Sequence, residues 1–239
     1  MKTHHHLRVM KVVGRKASSD WAFFWGLRPK GRIMSKAAMK LYYCETLNPR
    51  KACAAARFLK ADVEFIRIDL ASGEQRTTEF LALNPNGKVP VLQDDAGTLW
   101  EANAIMCRLS DRVGSDFWPH DHRQIDVLRW LSWDASHFTR HAAALWFEYL
   151  IKPLFGGEPD VAVIEDTKTS FRLHARVLDD HLATNSVAVG KTLTVADFAL
   201  AAALPYATSA EIPLSEFTHI QAWYERLEQL DAWRNPFPA

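Results

Sequence analysis

Residues 87–105 read Gly-Lys-Val-Pro-Val-Leu-Gln-Asp-Asp-Ala-Gly-Thr-Leu-Trp-Glu-Ala-Asn-Ala-Ile, and this stretch decides the fold. Apolar runs at 89–92 and 98–100 flank a turn of two aspartates and a glycine, which is a hairpin signal. A helical pattern follows over residues 102–113. The stretch therefore predicts two short strands joined by a turn, with the second strand leading directly into a helix.

The preceding segment predicts alternating strands and helices. Its predicted elements, in chain order, are a strand at 41–43, a helix from Pro49 to Leu59, a strand at 63–68 and a short helix at 77–83. Asn48 is the predicted N-cap of the first helix and Pro49 its first residue. Because a helix separates the first two strands, we expect a parallel pair. Residues 39–118 thus form a predicted α/β domain of order βαβαββα.

Beyond residue 118 the strand signal disappears, and residues 124–239 are predicted to form an all-helical domain. Its helical stripes cover 125–147, 161–182, 195–204 and 217–230. Thr194 and Asp197 have the spacing of a capping box, which favours a helix start at Val195.

Charge is distributed unevenly along the chain. Residues 1–38 hold nine Lys or Arg and one acidic residue, whereas the remainder has a net charge of −7. We expect residues 1–38 to be a disordered basic extension. It is either a targeting presequence or the product of a start codon assigned upstream of Met39.

The composition of the whole chain excludes several classes of protein. A net charge of +1 gives no case for nucleic acid as a partner. No apolar run approaches the roughly 20 residues of a spanning helix, so no membrane association is expected. Three cysteines favour a reducing compartment, and we expect a cytoplasmic protein. No metal site is predicted.

The segment after the first strand favours binding of an anion. The free N–H groups and the positive end of the helix dipole lie at this junction. The Thr46 hydroxyl and the Asn48 amide can donate hydrogen bonds to a thiolate and so lower the pKa of a thiol. An ordinary capped helix is the alternative interpretation.

Two further clusters lie at turns. If the Val89-Pro90 bond is cis, the backbone of Val89 can pair with an extended peptide; a trans proline on an edge strand is the alternative. The Glu101 carboxylate, beside the N–H groups of a helix start, can hold a group that carries both ammonium and carboxylate. A glutamate that only complements its helix dipole is the alternative.

Together these residues resemble the cytosolic glutathione transferase superfamily over nearly all of residues 39–239. The segment 88–90 is similar to the cis-proline loop of that superfamily, and 101–105 to its Glu-Ser-x-Ala-Ile segment. The segment 194–197 is similar to the capping motif of its helical domain. The resemblance implies a thioredoxin-like N-terminal domain, an all-α C-terminal domain, a homodimer and a role in detoxification.

The resemblance also implies a site for glutathione as co-substrate. The Val89 backbone, next to Pro90, holds the cysteinyl part, and Lys88 lies near the glycyl carboxylate. Glu101 and Ala102 hold the γ-glutamyl end. The superfamily has Ser where this chain has Ala102, and a lost hydrogen bond to a charged group costs roughly 1.5–3 kcal/mol.

The residue that activates the thiol is indicated by residues 41–51, which resemble the first loop of bacterial Nu-class transferases. That class has a Thr-Pro-Asn-Gly-x-Lys stretch, of which Thr46 and Asn48 match. Leu47 and Pro49 replace its Pro and Gly. Cys44 is the other candidate, by analogy to classes with a catalytic cysteine; a structural cysteine is the alternative.

The resemblance further implies that the electrophile binds against the first long helix of the second domain. Trp133, His137 and Arg140 lie there at helical spacing and can stack an aromatic electrophile and place a cation beside it. Core or dimer contacts are the alternative interpretation.

The resemblance thus implies an enzyme that conjugates the glutathione thiolate to a small electrophile. Glutathione-dependent reduction of disulfides or peroxides is a second expectation. A non-catalytic transferase-like binding protein is a third, because fold does not fix function.

Overall fold

The computed structural model describes residues 39–238. The predicted basic extension, residues 1–38, lies outside the described residues. The strands are β1 (Met39–Tyr43), β2 (Val63–Arg67), β3 (Val91–Asp94) and β4 (Gly97–Trp100). The helices between and after them are α1 (Leu47–Phe58), α2 (Thr78–Leu83) and α3 (Ala102–Val113). The predicted order βαβαββα is confirmed.

The four strands form one sheet in the order β2-β1-β3-β4. β1 runs parallel to β2, with Leu41 opposite Phe65, and antiparallel to β3, with Leu41 also opposite Leu92. β3 and β4 form the predicted hairpin. The central position of β1 places the segment that follows Tyr43 beside the segment that precedes Val91.

The alternation of β1 assigns its side chains to two apolar layers. Met39, Leu41 and Tyr43 are buried against the main core, which includes α1 and α3. Tyr42 faces the smaller cluster on the other side of the sheet, around Phe80 of α2. The main core continues without a break into the helices that follow residue 120.

From α3 to residue 238, the chain forms only helices and turns. The α-helices after α3 are α4 (Arg123–Trp133), α5 (Thr139–Trp146), α6 (Val161–Leu182), α7 (Val195–Leu200), α8 (Thr218–Glu228) and α9 (Asp231–Arg234). A π-helical turn, Asp134–Phe138, interrupts the predicted helix over 125–147, and a second, Phe147–Ile151, follows α5 and extends beyond the predicted end. The predicted helix over 195–204 ends at Leu200, with Pro205 in a 3-10 turn shortly beyond.

Two predicted boundaries near the first loop and the hairpin are wrong. The N-cap of α1 is Thr46 rather than Asn48, so Pro49 is the third helical residue. Proline is tolerated there because the first N–H groups of a helix have no intrahelical partner. β3 begins at Val91 rather than Val89, because Pro90 has no N–H to donate to the sheet.

The predicted capping box is present at the start of α7 and extends into a larger network. Asp197 is fully buried and accepts hydrogen bonds from Thr194 N and Oγ1, Ala188 N and Trp223 Nε1. One carboxylate therefore joins the start of α7 to the loop that contains Ala188 and to α8. Burial of a carboxylate is tolerated here because several donors surround it.

We expect Asp197→Ala to lower the free energy of unfolding by about 3–5 kcal/mol, because three buried N–H donors lose their acceptor. Urea denaturation monitored by circular dichroism measures the change. Asp126→Ala, which removes an exposed carboxylate paired with Arg129, is the control and should cost under about 1 kcal/mol. Equal effects of the two substitutions would contradict the structural role of Asp197.

Candidate active site

A cavity of about 230 Å³ opens where the turn before β3 meets the N-terminal ends of α1 and α3. Its lining residues are Asn48, Asn84, Asn86, Lys88, Val89, Pro90, Glu101 and Ala102. All five residues predicted to bind glutathione line this cavity, together with one of the three predicted catalytic residues. Two helix N-termini face one polar cavity, which suits a ligand with anionic groups.

The turn before β3 carries Val89 and Lys88 into the cavity. The Val89-Pro90 peptide bond is cis, as one of the two sequence interpretations requires. Buried Asn84 holds the turn: its Nδ2 donates to Lys88 O at 2.7 Å, and its Oδ1 accepts from Asn86 N at 3.0 Å. This role of Asn84 is not predicted from the sequence, although the cluster Asn84-Pro85-Asn86-Gly87 is a turn signal.

Glu101 occupies the N-cap of α3 with an exposed carboxylate. Its φ is +73°, a conformation that costs energy for a residue other than glycine and persists only where the surroundings fix it. Its carbonyl accepts the first intrahelical bond of α3, from Ile105 N at 2.9 Å. The preceding N–H groups, from Ala102 to Ala104, are those that a helix start leaves without an intrahelical partner.

The loop after β1 and the first turn of α1 carry the three predicted catalytic residues, Cys44, Thr46 and Asn48. Thr46 N donates to Cys44 O at 2.8 Å, which turns the chain into α1. The Thr46 hydroxyl makes no capping hydrogen bond and is half-buried. Asn48 is exposed in the first turn of α1 and reaches the cavity lining. Thr46 and Cys44 lie in the loop beside the cavity and are not among its lining residues.

Cys44 lies in surroundings that disfavour its thiolate. Its Sγ is 3.7 Å from Glu45 Oε2, and Glu45 in turn pairs with Arg67 at 2.7 Å. Burial, and then the negative charge of Glu45, raise the pKa of the Cys44 thiol. A thiol in such surroundings is largely protonated at neutral pH.

The three residues predicted to face the electrophile lie on the helical segment from α4 to α5. Trp133 is half-buried, and its ring packs on His137 and His174, with centroids 6.3 and 6.2 Å apart. The His137 ring stacks on His174 of α6 at 4.9 Å. Arg140 is exposed. None of the three lines the cavity described above.

Two buried titratable side chains, Lys51 and Asp134, are not predicted from the sequence. Lys51, on α1, is 5% exposed and donates from Nζ to Asn103 Oδ1 at 3.2 Å. Asp134, in the first π-helical turn, is 0% exposed and accepts from Thr139 Oγ1 at 2.5 Å. The sequence offers two signals for Lys51: it precedes the run Ala52–Ala56, and it stands where the Nu-class stretch has its lysine.

Within residues 39–238, no cluster of three or more His, Cys, Asp or Glu side chains has a geometry that could hold a metal ion. None of the helices in this part of the chain is long and apolar enough to cross a membrane.

Two sequence profiles match the chain. "Glutathione S-transferase, N-terminal domain" matches residues 37–109, and "Glutathione S-transferase, C-terminal domain" matches residues 142–231. Glutathione S-transferase 3 of Zea mays is 34% identical over 185 residues, which cover 74% of this chain and 83% of that relative.

Solved structures show the same similarity. A maize glutathione S-transferase I in complex with an atrazine glutathione conjugate has a TM-score of 0.77 and 25% identity, covering 84% of this chain and 96% of that one. A glutathione S-transferase from Pseudomonas fluorescens has a TM-score of 0.71 and 30% identity, covering 82% and 97%.

We expect iodoacetamide to alkylate Cys44 more slowly than free cysteine at neutral pH, because its thiol pKa is raised. Glu45→Gln removes a charge that raises this pKa and leaves the Arg67 cation nearby. The rate should therefore increase by about threefold or more. Mass spectrometry after timed labelling measures the rate, and Cys44→Ser identifies the labelled site.

Glu64→Gln, which removes an exposed carboxylate on β2, is the matched control and should leave the rate unchanged. Alkylation of wild-type Cys44 faster than that of free cysteine would show that its thiol is activated.

Proposed function

The chain belongs to the glutathione S-transferase family, and we propose that Thr46 and Asn48 activate the glutathione thiol for transfer to a small electrophile. Glutathione is the co-substrate, and the enzyme is a transferase. The observation that carries the assignment of residues is the cavity itself, which brings Asn48, Val89, Glu101 and Ala102 together.

The charges around the cavity match those of an extended γ-glutamyl peptide. The exposed Glu101 carboxylate suits the ammonium of the γ-glutamyl end, and the N-terminal N–H groups of α3 suit its carboxylate. Lys88, exposed at the other side of the turn, suits the glycyl carboxylate. The backbone of Val89 lies between them, where the cysteinyl residue pairs with it.

The thiol then lies toward the N-terminus of α1. The Thr46 hydroxyl makes no capping hydrogen bond to α1, so it is available to donate a hydrogen bond to the sulfur. The Asn48 amide supplies a second donor. Both hydrogen bonds and the positive end of the α1 dipole stabilise the thiolate and lower the pKa of the thiol. Glutathione supplies the nucleophile: its sulfur forms the new C–S bond, while the leaving group departs with the electron pair of the broken bond.

The loop supports Thr46 over Cys44 as the activating residue. Burial and Glu45 raise the pKa of the Cys44 thiol, whereas a hydroxyl needs no change of protonation state to donate. The match of Thr46 and Asn48 to the Nu-class stretch favours a transferase of bacterial type. A thiolate stabilised in this way can also attack a disulfide. Assays with an aryl halide and with a disulfide therefore distinguish conjugation from disulfide reduction.

The acceptor is proposed to bind on the helical side of the site. Trp133, His137 and Arg140 offer an aromatic surface and a cation on consecutive turns of one helical segment. Arg140 and His137 are exposed, which leaves them available to an anionic or aromatic substrate.

The proposed assembly is a homodimer in the cytoplasm. Exposed apolar side chains on β4, α4 and α6 support a second copy as partner, because an interface would remove their surface from water. These side chains are Trp100, Ile125, Leu128, Leu173 and Val177. All three cysteines are free thiols, as a reducing compartment favours.

We expect Glu101→Gln to weaken binding of reduced glutathione by about tenfold or more, because the ammonium of the ligand loses a charged acceptor. Isothermal titration calorimetry on the full chain measures the dissociation constant. Glu225→Gln, which neutralises an exposed carboxylate on α8, should leave it unchanged. Unaltered binding by Glu101→Gln would place the peptide elsewhere.

We expect Thr46→Val to lower kcat for an aryl halide by about tenfold or more while the glutathione dissociation constant changes little, because one donor to the thiolate is lost. The pKa of the bound thiol should rise, and its ultraviolet thiolate absorbance should appear at higher pH. Thr46→Ser keeps the hydroxyl and should retain most of the activity. A Thr46→Val enzyme with normal kcat would move the role to Asn48 or Cys44.

A further inference from the structure

Lys51 is a buried lysine whose side chain contacts α3, the helix that begins at the cavity. A lysine is almost never buried to this extent without a partner, because desolvation of its ammonium is costly. Burial lowers the pKa of Lys51, and the negative charges of Asp134 and then Glu101 oppose this effect. Two carboxylates on different elements therefore favour the ammonium form of Lys51 against the effect of burial.

The position of Lys51 relates it to the start of α3. Among residues 39–238, the hydrogen bond that Lys51 Nζ donates goes to Asn103 Oδ1, on the second residue of α3. Asn103 follows Ala102, whose methyl group stands where a hydroxyl would otherwise donate to the γ-glutamyl carboxylate. Lys51 also lies one helical turn after Asn48, which lines the cavity. The Lys51 ammonium thus contacts the second residue of the helix whose first N–H groups are proposed to receive this carboxylate.

We propose that Lys51 is a positioning residue for the γ-glutamyl carboxylate of glutathione, and that its buried charge replaces the hydroxyl that Ala102 lacks. The inference rests on the proposed function, since it places the γ-glutamyl end at Glu101 and α3. Lys51 acts through α3: it holds Asn103 and adds positive potential to the N-terminal N–H groups. In surroundings of low dielectric constant this potential reaches beyond contact distance.

Asp134 provides the charge balance. It lies at the first π-helical turn, immediately after Trp133, and its Oδ2 has no hydrogen-bond partner within residues 39–238. Its charge favours the protonated form of Lys51, while Lys51 opposes the rise in the pKa of Asp134 that burial causes. The acceptor-side helix thereby contributes to the glutathione side of the site.

A comparison of two ligands on several variants tests this role. The second ligand is 4-aminobutyryl-cysteinylglycine, which keeps the thiol, the ammonium and the glycyl carboxylate but lacks the γ-glutamyl carboxylate. Isothermal titration calorimetry on the full chain gives dissociation constants for both ligands with the wild type, Lys51→Met and Lys51→Arg. Circular dichroism and thermal unfolding report whether each variant is folded.

We expect Lys51→Met to weaken glutathione by about tenfold or more and the decarboxylated ligand by less than about twofold. Lys51→Arg, which keeps the charge, should restore most of the glutathione affinity. Equal weakening of both ligands by Lys51→Met would reduce Lys51 to a general structural role and overturn the proposal, as would no weakening of either. If Lys51→Met does not fold, Lys51→Gln is measured, since its amide keeps the contact with Asn103.

The same titrations separate this proposal from the proposed function. A wild type that binds neither ligand refutes the glutathione site itself. A wild type that binds glutathione, with Glu101→Gln impaired and Lys51→Met normal for both ligands, refutes only the role of Lys51.

Discussion

The antiparallel pairing of β1 with β3 is the constraint on which the site depends. Tyr42 lies opposite Val91, so the chain leaving β1 and the chain entering β3 are neighbours at the same end of the sheet. The first becomes the loop with Thr46 and the start of α1. The second is the turn that carries Val89. β4 pairs antiparallel with β3 and ends at Trp100, so Glu101 lies at the same end of the sheet. Three segments that are distant in sequence therefore meet at one cavity.

Local sequence signals are sufficient for the order of elements, and the resemblance to the glutathione transferases supplies most of the cavity lining. Alternation in the strands, the hairpin turn and the capping box at Thr194 and Asp197 each depend on residues close together in the chain. The start of α1 was assigned two residues late because Thr46 and Asn48 are both good caps and proline is tolerated throughout the first turn. Residue type alone cannot rank two such caps.

Tertiary contacts account for what the sequence did not predict. Nothing near Lys51 in the chain indicates a carboxylate partner, because Asp134 belongs to a different part of the protein. The π-helical turn that contains Asp134 has no known residue signature of the kind that proline or glycine provides. Helix packing likewise determines whether Trp133 and His137 face the cavity or a neighbouring helix. The spacing of apolar residues along the sequence does not predict this packing. Both rings contact His174 of α6, which is distant from them in the sequence.

The first helix begins on a threonine whose hydroxyl makes no bond to the helix it starts. A capping side chain is typically worth about 1 kcal/mol of stability, and here that contribution is forgone. Evolution toward greater thermal stability would favour an aspartate at this position, since its carboxylate both caps the helix and complements the dipole. The same carboxylate would repel an incoming thiolate. The uncapped start of α1 is therefore a point at which selection for robustness and selection for catalysis act in opposite directions.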